Sequence, residues 1–319
     1  MEAMIDWGNS RSGLLYAAAL AVLLVVALFA FMRGSRRHRA TPPMTPFAGG
    51  SYEASDVVHV PGTDGVLFVD DDRPDDVFFM RLGADRKQAA RIVPVKLSTS
   101  IIDPEGITTD GTYFYVVGSQ SKPRGNNLTD LARFRLDLKD LRTTDMQSIA
   151  GLRSFLATNV DELRGMQNPH YNDRDINIEG IAWDPKGARL LLGLRSPVVD
   201  GQALVVALKL RDPQGAFSFD NMEVEGRKAI RLSLNGAGIR SIEYDDVSKT
   251  FRLISGSAHD GHRMDSKLWE WSGSGESSTL RETDTLDRRL HPEGVTRVTS
   301  GNQNFLLIVF DAGGYVAKD

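Results

Sequence analysis

The chain repeats a short opening. Pro104-Glu105-Gly106-Ile107, Ile178-Glu179-Gly180-Ile181 and Pro292-Glu293-Gly294-Val295 share the pattern x-Glu-Gly followed by Ile or Val. Each leads through a turn into short runs rich in β-branched and aromatic residues: YFYVVGS and LARFRLD, LLLGLRS and ALVVALKL, and FLLIVFDAGG. A further unit, Ile239 to Trp271, reads IRSIEYDD, FRLISGS and KLWEW, and another opens the series with VVHV, VLFVDD and VFFMRL. Units of about 40–50 residues with several strands each are the signature of propeller blades. A β-sandwich would explain the short strands but not the recurring opening. The sequence therefore predicts an all-β chain, a β-propeller of five blades. Six blades fit only if the long tail of the second of these Glu-Gly units hides another.

One segment breaks the β pattern. In Ser148–Arg164 the apolar residues Ile149, Leu152, Phe155, Leu156, Val160 and Leu163 fall at helical spacing, which predicts a helical insertion. The last unit runs out of chain after Val316, so its outermost strand is expected from the N-terminal segment around Phe47–Tyr52.

Residues 13–32, GLLYAAALAVLLVVALFAFM, form an uncharged apolar run of twenty residues. At about 1.5 Å per residue this spans roughly 30 Å, the thickness of a bilayer's hydrocarbon core. A cleavable signal peptide has a shorter apolar region and small residues at its cleavage site; here the run ends in Phe29, Phe31 and Met32, then RGSRRHR. The expected organisation is a tail (1–12), one transmembrane helix (13–32), a basic, Pro-rich linker (33–50) and a propeller (51–319). Arg33, Arg36, Arg37 and Arg39 follow the span, and the positive-inside rule places that flank, with the propeller, in the cytoplasm. Residues 1–40 carry a net +3 of the chain's −4, which leaves −7 on the remainder. So acidic a body excludes nucleic acid as a partner. The absence of cysteine removes disulfides, thiolate metal sites and Cys nucleophiles.

Propeller geometry gathers residues that are distant in sequence. The start of each innermost strand and the end of the second strand lie on one face, near the axis. Glu105, Glu179 and Glu293 are thereby expected at one rim, joined by Asp71, Asp72, Ser119, Arg195, Ser196, His259, Asp260 and Asp311. Clustered carboxylates repel, so they share protons or bind a cation. Glu105, Glu179, Glu293 and Asp311 are the candidate ligands of a divalent ion, calcium foremost, since a hard cation takes oxygens alone. Arg195, Ser119 and His259 are candidates to bind an anionic ligand, Arg195 through a two-pronged contact. A competing reading makes Glu-Gly a blade-building device, with Gly allowing close backbone approach and Glu accepting N–H groups from the next blade.

Other motifs weigh less. Val69–Asp76 (VDDDRPDD) lacks EF-hand spacing and reads as a solvated hairpin turn. His259-Asp260-Gly261-His262 reads equally as a metal site or a polar loop. No G-x-S-x-G elbow or full G-x-G-x-x-G occurs. Trp183, Trp269 and Trp271 fall in strand patterns and are expected in blade packing.

Asn177–Pro197 (NIEGIAWDPKG…LLLGLRSP), with DPEGI at 103–107 and HPEGV at 291–295, resembles a bacterial domain-of-unknown-function family of propeller proteins, similar to phytase-like esterase propellers. The resemblance covers roughly residues 56–319. It implies an axial metal held by a Glu of an E-G motif, which points to Glu105, Glu179 and Glu293, and it favours a periplasmic domain. The Ile239-Arg240-Ser241 unit departs from the pattern and leaves the ring of glutamates incomplete. Two functions stand on this sequence: a membrane-anchored propeller that binds a small anionic ligand or a protein partner on its axial face, and a metal-dependent hydrolase of an ester, lactone or phosphate.

Overall fold

A computed structural model describes residues 43–121, 129–167, 175–212, 215–259, 264–274, 279–301 and 303–319. The transmembrane helix expected at 13–32 lies outside the described residues. Among those described, no helix is long and apolar enough to cross a membrane.

The described chain makes five antiparallel sheets, four of them built from successive strands alone. Blade 1 is β2 (Ala54–His59), β3 (Gly65–Asp70), β4 (Asp76–Arg81) and β5 (Val93–Lys96). Blade 2 is β6 (Pro104–Thr109), β7 (Phe114–Gly118), β8 (Leu131–Asp137) and β9 (Arg142–Ile149). Blade 3 is β10 (Asn177–Asp184), β11 (Arg189–Ser196) and β12 (Ala203–Leu210), whose outer edge is shared by β13 (Met222–Val224) and β14 (Ile230–Leu232). Blade 4 is β15 (Gly238–Asp245), β16 (Thr250–Gly256), β17 (Ser266–Trp271) and β18 (Leu280–Leu286). Blade 5 is β19 (Pro292–Ser300), β20 (Gln303–Phe310) and β21 (Gly314–Lys318), completed by β1 (Thr45–Pro46). The innermost strands β2, β6, β10, β15 and β19 pack one against the next, and β19 returns to β2, so the ring closes. The five blades match the repeat count.

The closing strand lies earlier than expected. Thr45 and Pro46 pair with Tyr315 and Gly314, whereas the sequence pointed to Phe47–Tyr52. Phe47 and Tyr52 instead anchor the segment through their rings. Phe47 stacks on Phe68 at 5.2 Å, and Tyr52 meets Phe78 edge-on at 5.2 Å. The helical insertion is also shorter than its pattern. Ser148 and Ile149 finish β9, Gly151 turns the chain at φ +93°, and the helix α1 covers Leu152–Asn159. A single 3₁₀ turn follows at Asp161–Leu163. Leu152, Leu156, Val160 and Leu163 still bury the expected apolar face, against blades 2 and 3.

Buried layers between blades form the core, as in any propeller. Trp271 is fully buried and Trp269 nearly so, while Trp183 of blade 3 lies parallel to Tyr115 of blade 2 at 6.2 Å.

Candidate functional site

Every innermost strand carries a one-residue bulge at the same place. Register slips between Ala54 and Asp56, Pro104 and Gly106, Ile178 and Gly180, Ile239 and Ser241, and Pro292 and Gly294. The unpaired residues are Ser55, Glu105, Glu179, Arg240 and Glu293. A bulge re-aims the extra side chain and is favoured near sites. Here it assembles five equivalent positions at one end of the axis. The repeat legible in the sequence is the trace of this bulge, and Arg240 fills the place where a fourth glutamate was missing.

Arg240 completes the ring by charge. Its Nη1 lies 2.6 Å from Glu179 Oε2 and 3.2 Å from Glu293 Oε2. Arg195 Nη1 approaches the other oxygen of Glu179 at 3.0 Å, and Asn177 Nδ2 donates to that same oxygen at 3.0 Å. Arg195 also donates from Nε to the Ser257 carbonyl. Burial works to lower the pKa of Arg240, but the charges of Glu179 and Glu293 outweigh it and raise the value. For Glu293, burial raises the pKa to about 8 against the downward pull of Arg240.

Glu105 stands apart from this network. Carboxylate oxygens of Asp71, Asp103 and Glu105 lie within 4.8 Å of one another. Burial first, then the charges of Glu179, Asp103, Glu293 and Asp71, push the Glu105 pKa well up. No hydrogen-bond donor among the described residues reaches its carboxylate. Asp103 sits at φ +53°, accepts from the hydroxyls of Ser119 and Ser121, and receives the Ser119 amide on its carbonyl.

The glycine after each bulge glutamate answers to packing. A Cβ on Gly180 would stand 2.9 Å from the Ile242 nitrogen, and one on Gly294 would stand 2.8 Å from Asp56 Cα. The inner edges therefore approach too closely for a side chain. In blades 1 and 4 the corresponding residues are Asp56 and Ser241. Asp56 accepts from the Ile107 amide at 3.0 Å, and Ser241 Oγ from the Val295 amide at 3.2 Å. Thr108 and Thr296, three residues after their bulges, serve Trp183 and His59 in the same way. These side chains, rather than the glutamates, satisfy the edge amides of the following blade.

The candidate residues thus divide. Glu105 joins Asp71 and Asp103. Glu179 and Glu293 are held by Arg195 and Arg240. Ser119 supports Asp103. Asp311 lies at the exposed rim, 3.9 Å from His291 Nδ1, and its charge raises Glu293 and, above all other influences, Glu53. His259 is tied through its backbone to the Ser257 hydroxyl, and residues 260–263 lie outside the described residues. The acidic stretch 69–76 is indeed a turn between β3 and β4, but it delivers Asp71 to the cluster. Sequence reasoning gave Asp103 no role; its only signal is that it precedes the Pro-Glu-Gly of blade 2.

No curated protein sequence matches this chain. Among solved structures, the PQQ domain of pyranose dehydrogenase from Coprinopsis cinerea is similar at 11% identity, covering 86% of this chain and 94% of that one, with a TM-score of 0.47. A glucose dehydrogenase follows at 10% identity, 86% and 98% coverage and a TM-score of 0.45. Hydrazine synthase of Kuenenia stuttgartiensis is similar at 12% identity, 88% and 68% coverage and a TM-score of 0.35. None of these likenesses bears on the chemistry of this chain. Residues 163–317, from the end of the helical connection into the last strand, match the model of a family described as a protein of unknown function (DUF3616).

Proposed function

We propose that the axial end of the propeller binds a divalent cation through Asp71, Asp103 and Glu105, and presents that ion to an anionic oxygen ligand. The observation that carries this reading is Glu105: a carboxylate among carboxylates, without a hydrogen-bond donor among the described residues, two of whose neighbours lie within 4.8 Å. Such a group holds a proton or a cation. Three converging carboxylates suit a hard ion, whose remaining positions water or a ligand would fill. Arg195 and Arg240 are already spent on Glu179 and Glu293, so an anion would bind through the ion rather than through them.

A second reading, hydrolysis of an ester, lactone or phosphate at the same ion, is favoured by Glu293. A carboxyl held at about 8 beside two guanidiniums can exchange a proton near neutral pH. Residues 13–32 are read as an anchor that keeps the propeller at a membrane, on the strength of their twenty uncharged positions.

Metal analysis of the full chain, with thermal shifts against Ca²⁺, Mg²⁺, Mn²⁺ and Zn²⁺, tests the cation reading. A bound ion, or stabilisation that Glu105→Gln removes, supports it. If none of the four ions binds or stabilises at millimolar concentration, the reading fails.

A further inference from the structure

The end of the disc opposite the bulges holds a second site. A cavity of about 620 Å³ opens there between blades 2 and 3, a size that suits a small-molecule ligand. Its lining includes Tyr113, Tyr115, Arg133, Arg135, Gln147 and Trp183. Arg133 is only 7% exposed. Its Cζ stands 4.6 Å from the ring centres of both Tyr113 and Phe217, so aromatic rings hold its guanidinium. That leaves the in-plane N–H groups to meet partners. Nε and Nη2 both turn to Gln147 Oε1, at 3.3 and 2.9 Å, and the Tyr115 hydroxyl lies alongside. Both of these partners are neutral.

The nearby carboxylates are engaged elsewhere. Asp110 accepts from the Thr112 and Tyr113 amides on one oxygen and from the Tyr115 hydroxyl on the other. Asp145 accepts from the Tyr113 hydroxyl and from Gln147, with Arg135 at 3.5 Å. Among the described residues, no carboxylate stands within ion-pair distance of Arg133. Asp145 feels the charge of Arg133 from a distance but does not touch it. A buried guanidinium without a carboxylate in contact is costly, and such groups are ordinarily paired directly.

We propose that this inter-blade cavity binds a small aromatic carboxylate, whose anionic group pairs with Arg133 while its flat body lies against Tyr113, Tyr115 and Trp183. One guanidinium without a carboxylate in contact among the described residues calls for a monoanion rather than a phosphate dianion. A planar fork matches a planar carboxylate. The aromatic walls favour a flat apolar body over a bare inorganic ion. This site is independent of the axial cation reading and shares no residue with it.

Isothermal titration of the full-length protein with benzoate, benzamide and inorganic phosphate tests the assignment. Benzoate should bind saturably, and its neutral analogue benzamide at least about tenfold more weakly; phosphate should not compete. Because Arg133 is part of the packed interior, Gln147→Glu is the deciding variant. It is nearly isosteric and hands Arg133 an internal counter-ion, while giving up the Nε2 bond to Asp145 and placing two carboxylates side by side. With its fold checked by circular dichroism, it should weaken benzoate about tenfold or more. Arg133→Gln should do the same where it folds. The proposal is overturned if benzoate fails to saturate by about 10 mM, if benzamide binds as well as benzoate, or if Gln147→Glu binds benzoate like the parent chain.

Discussion

The hydroxyl of Ser241 donates to Asp56 Oδ1 at 2.9 Å, joining blade 4 to blade 1, which are not neighbours in the ring. The bond therefore crosses the axis. A second crossing bond lies further along the channel, from Thr108 Oγ1 of blade 2 to Glu243 Oε2 of blade 4, at 3.0 Å. The middle of the disc is thus closed by buried polar side chains, and the site at the bulges is a cup with a floor.

Removing a floor group should cost stability. Asp56→Ala leaves the Ile107 amide and the Ser241 hydroxyl without their acceptor, at about 2 kcal/mol or more. Urea unfolding would read this as a lower midpoint with an unchanged slope.

Glu243 should behave differently. Burial, and then the charge of Asp56, raise its pKa well above the ordinary range. A carboxyl whose folded value is raised favours the folded state at low pH, and that contribution is lost as pH rises through the folded value. Glu243→Gln keeps an acceptor for Thr108 without the titration, so its melting temperature should fall less than the parent's between neutral and alkaline pH. A steeper fall for the Gln variant would contradict the buried-acid picture.

Asp245 should give the opposite sign. Although burial would raise its pKa, Arg297 at 2.9 Å and Arg252 at 3.1 Å hold it down at about 2. Its contribution is complete above the unfolded value of about 3.9 and is lost as pH falls toward about 2. Asp245→Asn should cost about 3 kcal/mol at neutral pH and flatten the acid limb of a melting-temperature profile.

Arg240 holds the bulge ring together. Arg240→Gln leaves Glu179 and Glu293 facing each other without their shared cation, a change that costs about 3–5 kcal/mol when a buried pair loses one partner. Should millimolar Ca²⁺ restore part of that loss in thermal melts, the glutamates would be taking up the ion in place of the guanidinium.

The glycines beside the bulges should resist even a methyl group. Gly294→Ala pushes a Cβ against the Asp56 backbone, which has nowhere to move, and overpacking of this kind costs about 1–3 kcal/mol. Circular dichroism melts of this variant and of Gly62→Ala, where no atom lies within 4 Å, would separate crowding from backbone strain. Gly62 takes φ +75°, so its variant reports backbone strain alone.

The architecture was legible because one geometric demand recurs in the sequence. In three of the five blades the bulge residue and the tight approach after it are written as Glu-Gly, which can be seen by eye. Blades 1 and 4 hid their equivalents. Ser55-Asp56 and Arg240-Ser241 meet the same backbone demand with side chains that bond across the axis, and such a bond has no sequence spacing. Asp71 was expected at the rim with Glu105, whereas Asp103 was obscured, since only the turn before β6, where it takes φ +53°, brings its carboxylate to theirs. The closing strand Thr45–Pro46 is two residues long and contains a proline. It carries no alternation to recognise, and proline is tolerated there because the strand is an edge.

That two-residue strand makes the ring's fastening mechanical as well as thermodynamic. Thr45 and Pro46 pair only with Tyr315 and Gly314, so any tension arriving from residues before 43 is borne first by this short seam. Directed along the strand, such a pull shears the seam; directed away from the sheet, it peels the seam open a bond at a time. The rings of Phe47 and Tyr52 lie immediately behind and act as a stop, confining the first slip to the outermost edge of blade 5 while the cup at the axis keeps its shape.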